Sequence, residues 1–91
     1  MPGGRTELDS DRMLQLALTR LVEVIGEAAA GVDLETRSRC VGIPWLQVVG
    51  MRNRLIHGYD VVDMDMLWDT VTRDIPPLIS HLETALAALD E

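Results

Sequence analysis

Residues 43–59 read IPWLQVVGMRNRLIHGY. Ile43-Pro44-Trp45 starts a helix, because a first turn tolerates proline: its N–H groups have no intrahelical acceptor to lose. Trp45, Val48, Val49, Leu55 and Ile56 recur at helical spacing and give that helix an apolar face. Gly50 in its interior costs about 1 kcal/mol relative to alanine, which predicts that another backbone comes close there. Gly58, directly after His57, predicts a C-terminal cap. The stretch therefore reads as one helix carrying Arg52, Asn53, Arg54 and His57 toward its end.

Working outward, Met13–Ala30 is a second helix. Leu14, Leu18, Leu21, Ile25 and Ala28 fall three and four apart. Met13, Leu16, Ala17, Val22, Val24 and Ala29 widen that stripe well beyond one face, so the helix is expected to be covered on several sides, partly by a second copy of the chain. Asp9, Ser10 and Asp11 offer N-cap groups, and Gly31 a stop. Residues 32–43 are expected to loop, with a short helix near 34–40. After a turn at 60–63, Asp63 or Asp65 caps a last helix. Its apolar positions, Met64, Leu67, Trp68, Val71, Ile75, Leu78, Leu82, Leu86 and Leu89, keep phase across Pro76 and Pro77. That continuity predicts a kinked helix rather than two unrelated ones. The expectation is an all-α antiparallel bundle of about three main helices, completed by homodimerisation. Residues 1–8, with Pro2, Gly3 and Gly4, read as a flexible leader, and 9–91 as a single domain.

Composition narrows the function. A chain of 91 residues with 47% apolar content folds as one small domain. It has no apolar run long enough to span a bilayer and nothing near Met1 like a signal peptide, so cytoplasm is the default expectation. A lone cysteine, Cys40, cannot form an internal disulfide, and its ordinary reading is a buried small side chain. Two histidines, His57 and His81, argue against a zinc site, and His81 reads as surface or interface packing. A net charge of -7 argues against a broad nucleic-acid surface. It leaves room for a small local site, and every basic residue is arginine, whose fork grips phosphate in bidentate fashion.

A candidate for such a site lies at 52–57. On an ideal helix Asn53 and His57 share a face, while Arg52 and His57 stand roughly 140° apart and line one rim. RNA cleavage without a metal or cofactor needs a base for the 2′-hydroxyl, an acid for the leaving 5′-oxygen and cations for the phosphoryl oxygens. Histidine titrates near neutrality and serves as either proton carrier. Two subunits facing each other supply two such histidines. The arginine–histidine pair alone does not define a site: His57 also suits a last helical turn through the helix dipole, Arg54 a solvated surface, and Trp45 and Trp68 a core.

The ordered set IGEAA (25–29), IPWLQVVGMRNRLIHGY (43–59) and LWDTVTRDIPPLISHLETAL (67–86) resembles the HepT-like branch of the HEPN superfamily. These are ribonuclease toxins paired with MNT-type nucleotidyltransferase antitoxins. The resemblance implies a dimerising helical bundle, metal-independent RNA cleavage in a shared cleft, and an Arg-x4-His motif formed here by Arg52 and His57. Asn53 is then the polar residue following the arginine, Arg54 supports phosphate or RNA binding, and Tyr59 matches the tyrosine that the partner transferase modifies with AMP. A nucleotide placed two residues from His57 would block the cleft. The family pattern usually carries a further long helix ahead of IGEAA, where this chain has Met1–Asp11. The alternatives are a non-catalytic nucleotide-, RNA- or partner-binding dimer and a purely structural dimerisation domain.

Overall fold

The computed structural model describes residues 4–57 and 61–89, with His57 and Val61 through their backbone alone. Helix α2, Arg12–Ala30, is the spine. Asp11 starts it by accepting the Leu14 N–H at 3.0 Å. At its far end the Gly31 N–H reaches the carbonyls of Glu27 and Ala28, each at 3.2 Å. Arg37, on the short helix α3 (Leu34–Arg39), completes this terminus. Its guanidinium donates to Val32 and Ala29 carbonyl oxygens, both at 3.0 Å, and lies 5.5 Å over the Trp45 ring. A cation there complements the negative end of the helix. Asp33 caps α3, and the hydrogen bonds from Thr36 hold its carboxyl below the usual carboxylate range. That contribution is present above the ordinary carboxylate pKa and is lost as pH falls through the lowered one.

The inward stripe of α2 is Leu14, Leu18, Val22, Ile25 and Ala29, not the stripe through Leu21 and Ala28. Leu21 is half exposed and Val22 fully buried. Both phases obey helical spacing, and a helix apolar nearly all round does not reveal which one faces the core.

Helix α4, Trp45–Val49, crosses α2 at Gly26. A Cβ on Gly26 would sit 3.3 Å from the Val49 carbonyl oxygen and 3.5 Å from that of Val48. The close backbone approach expected at Gly50 is therefore found at Gly26. What crowds Gly50 is the carbonyl of Leu46, in its own preceding turn, at 3.2 Å. Gly50 also divides the expected single helix into α4 and α5, Met51–Leu55.

Helix α5 ends at Leu55 because Ile56 is extended, with φ -101° and ψ 125°. Ile56–His57 (β1) pairs antiparallel with Val61–Val62 (β2), in register Ile56 with Val62 and His57 with Val61. β-Branched residues at three of these four positions suit extended backbone. His57 is thus not in a last helical turn, and the i, i+4 argument joining it to Asn53 does not hold. The C-cap expected at Gly58 lies outside the described residues.

Asp63 caps α6 (Met64–Asp69), accepting the Met66 N–H at 3.1 Å. A π-helical turn, Thr70–Asp74, then leads into α7, Ile75–Leu89. The Ile75 N–H bonds the Thr70 carbonyl, five residues back. Pro76 and Pro77 bring no N–H to the carbonyls one turn before them, and the ladder widens there while the helix keeps its phase. The expected irregularity is present, displaced one turn ahead of the prolines.

Residues 5–8 are not a flexible leader. Arg5–Ser10 form α1, Leu8 is fully buried, and Arg5 joins Asp65 at 2.8 Å. The core gathers Leu8, Val22, Val48, Met51, Leu55 and Leu67 from α1, α2, α4, α5 and α6. Cys40 is buried as expected. Apolar side chains remain outside on α2 (Met13, Leu21, Val24) and along the end of α7 (Leu82, Leu86). Among the described residues no helix is long and apolar enough to cross a membrane. The architecture is all-α apart from the two-residue bridge.

Two substitutions test this packing. Leu8→Ala is expected to lower unfolding free energy by about 2–5 kcal/mol in denaturant titration, whereas a leader residue would change almost nothing. Gly26→Leu drives a side chain into the Val48–Val49 backbone and is expected to cost about 1–3 kcal/mol or more.

Candidate active site

Seating α4 on Gly26 brings α5, the next element, alongside the middle of α2. Between them lies a groove of about 570 Å³. Arg12, Gln15, Leu16, Thr19 and Glu23 of α2 form one wall, and Arg52, Ile56, Val62 and Met64 form the other. Its polar side is braced. The Gln15 amide donates to the Leu8 carbonyl at 3.0 Å, and the Thr19 hydroxyl to the Gln15 carbonyl at 2.7 Å. Arg12 touches the Gln15 side-chain oxygen at 3.5 Å, a weak contact. Glu23 stands between two guanidiniums, 3.3 Å from Arg20 and 3.9 Å from Arg52. At that length, and with Arg52 well exposed, the Arg52–Glu23 pair contributes little, and an incoming anion can displace it.

Arg52 also borders a smaller hollow of about 180 Å³ shared with Asn53, Glu23, Gly26 and Glu27. Arg52 and Asn53 therefore occupy one surface. Arg54 goes elsewhere. Two positions along a helix turn the side chain about 200°, and Arg54 reaches the Gln47 carbonyl at 3.5 Å and Asp74 at 3.7 Å. Its Nε is buried without a hydrogen-bond partner. Arg54 is thus half-buried structure between α4 and the π turn rather than a solvated residue. The backbone of His57 continues directly from Ile56, a groove residue, and Tyr59 lies outside the described residues. His81 is exposed on α7, beside Arg73, Asp74 and Pro77 and away from this groove.

The sequence reading missed Arg12 and Glu23. The available signal was a polar line, Arg12, Gln15, Thr19 and Glu23, at spacings of three and four on a helix otherwise rich in apolar residues. Such a line marks a face that does not pack.

A small helical domain with an arginine-bearing groove is the class these features define. Comparison with known proteins narrows it. The family model described as Ribonuclease HepT-like matches residues 2–85. A Methanocaldococcus jannaschii protein named "Putative RNase MJ1380" is 35% identical over 77 residues, covering 85% of this chain and 71% of its own. "Putative RNase TTE0752" of Caldanaerobacter subterraneus is 36% identical over 76 residues, covering 84% and 68%. "Probable ribonuclease HepT" of Thermococcus cleftensis is 40% identical over 73 residues, covering 80% and 66%. No solved structure matches. The chain belongs to the HepT-like ribonuclease family, and its fold is the all-α HEPN bundle.

The two arginines should separate cleanly in a stability measurement. Arg54→Ala removes the tie to Asp74 and Gln47 and is expected to lower unfolding free energy by about 1 kcal/mol. Arg52→Ala is expected to stay within about 0.5 kcal/mol of wild type. Equal losses would contradict the geometry.

Proposed function

We infer that this chain cleaves RNA without a metal or other cofactor and is the toxin of a toxin–antitoxin pair whose partner is an MNT-type nucleotidyltransferase. The observation that carries the reading is Arg52. It stands on the rim of a groove of about 570 Å³, in a chain matched across 2–85 by a ribonuclease family. When the 2′-hydroxyl oxygen attacks phosphorus, its proton goes to a base, the bond to the 5′-oxygen breaks, and an acid protonates that oxygen. His57 takes one of these proton roles, and its counterpart in a second subunit takes the other. Arg52 stabilises the charge on the phosphoryl oxygens, and Asn53 orients the substrate. Arg54 supports the site by fixing α5 through Asp74. Tyr59 accepts AMP from the partner transferase, which closes the cleft.

Apolar surface left outside supports the dimer. Leu21, half exposed on α2, and Leu86, 60% exposed on α7, are part of a larger exposed set that one chain leaves wet. One observation favours a second reading, a non-catalytic nucleotide- or partner-binding dimer: Glu23 sets a carboxylate beside Arg52 in a chain of net charge -7.

Incubating RNA with the purified protein in the presence of a chelator separates the two. Cleavage with 2′,3′-cyclic phosphate ends is expected, falling by about 10²-fold or more in His57→Ala. Undiminished cleavage by that variant would overturn the assignment of His57, and a wild type that binds RNA without cutting it would favour the second reading.

A further inference from the structure

Charge is distributed unevenly among the arginines. Arg5 faces Asp9 and Asp65, Arg20 faces Glu23 and Glu27, Arg54 faces Asp74, and Arg73 faces Asp69. Arg37 is committed to the carbonyls that end α2. Arg12 and Arg39 face no carboxylate among the described residues, and Arg39 lines a different hollow, beside Cys40. Among the described residues the one polar contact of the Arg12 side chain is Gln15, at 3.5 Å. Among the described residues Arg52 has only Glu23, at 3.9 Å and shared with Arg20. These two weakly engaged guanidiniums line the same groove. In an acidic protein, two guanidiniums against one carboxylate, Glu23, give this groove lining a local excess of positive charge.

The space between them suits a strand rather than a lone anion. Arg12 and Glu23, the Arg52 neighbour, are eleven residues apart on α2, about 16 Å of helix rise. Even shortened by two long side chains reaching inward, such a span exceeds the roughly 3.4 Å between neighbouring stacked residues, so the two guanidiniums are too far apart for adjacent phosphates. Leu16, Ile56, Val62 and Met64 give the groove an apolar surface for bases and riboses.

We propose that the groove between α2 and α5–β2 holds a single-stranded RNA segment longer than a dinucleotide, and that Arg12 binds a backbone phosphate at the end remote from Arg52. The inference rests on the ribonuclease reading for its choice of RNA. It deepens that reading by adding a second phosphate contact on a different helix. Displacement of Glu23 from Arg52 accompanies binding. A protein segment is the competing occupant, and two guanidiniums against the single carboxylate of Glu23 in the groove lining favour the polyanion.

The test uses the whole chain and a probe that cannot be cleaved: a fluorescent 2′-O-methyl hexauridylate, and the matching dinucleotide, followed by anisotropy. Arg12→Gln is expected to weaken hexamer binding about 5–10-fold and to reduce the slope of log affinity against log salt by about one. It should leave dinucleotide binding unchanged. Arg39→Gln, an exposed arginine that lines a different hollow beside Cys40, controls for net charge and should behave as wild type. Equal weakening by Arg12→Gln and Arg39→Gln, or no hexamer binding by wild type, overturns the proposal. So does an Arg12→Gln change that shifts only the monomer–dimer equilibrium in sedimentation, which would make the groove a protein interface. Because the probe is inert, Arg12-dependent binding without RNA cleavage would sink the ribonuclease reading and keep the groove. RNA cleavage with KM unaffected by Arg12→Gln would do the reverse.

Discussion

Everything in this domain depends on how closely α4 lies against α2. Gly26 lets the carbonyls of Val48 and Val49 approach where a side chain would stand, at 3.5 and 3.3 Å from the position of a Cβ. That contact sets the height and direction of the following segment. Gly50 then turns the chain without leaving right-handed geometry, and α5 runs on beside α2. Arg52 comes to face Glu23 as a consequence. A larger residue at position 26 would lift α4, widen the groove and carry Arg52 away from the opposite wall.

The same contact explains why adjacent cations have different surroundings. Arg52 and Arg54 leave α5 on opposite sides. One meets the groove beside α2, the other is half-buried against Asp74 and the Gln47 carbonyl. Helical geometry, rather than any difference in residue chemistry, assigns one arginine to the groove and the other to holding the site in shape. The π turn takes part in this division, because Asp74 stands at its end, just ahead of the prolines.

Much of the fold was legible in the residues. Asp11, Asp63 and Gly31 delimit helices where capping chemistry predicts them, and the stripe through Leu67, Val71 and Ile75 reaches Leu78 past Pro76 and Pro77, while Leu82, Leu86 and Leu89, expected to continue it, are exposed. The phase of α2 was not legible, since apolar residues surround it and two stripes fit equally well. Leu8 gave no periodic signal by itself: one buried residue on a six-residue helix has no repeat to detect. At the site, Arg52 and Asn53 were identified together and do share a surface. His57 was assigned to a helical turn on helix-forming neighbours, but Ile56 and the Val61–Val62 pair hold the backbone extended there. Pairing of that kind is a tertiary choice which local spacing does not encode. Arg12 lay forty residues from the motif, and only the packing of α2 against α5 joins the two.

The central claim is that the groove with Arg52, and not the half-buried pairing of Arg54 with Asp74, receives the phosphate. Arginine side-chain Nε–Hε resonances, followed by ¹H–¹⁵N correlation while a non-cleavable oligonucleotide is titrated, read this directly. The Arg52 resonance is predicted to shift with saturation as a phosphate oxygen replaces Glu23, while that of Arg54, held half-buried against Gln47 and Asp74, stays in place. A saturable shift at Arg54 with Arg52 unmoved would contradict the account.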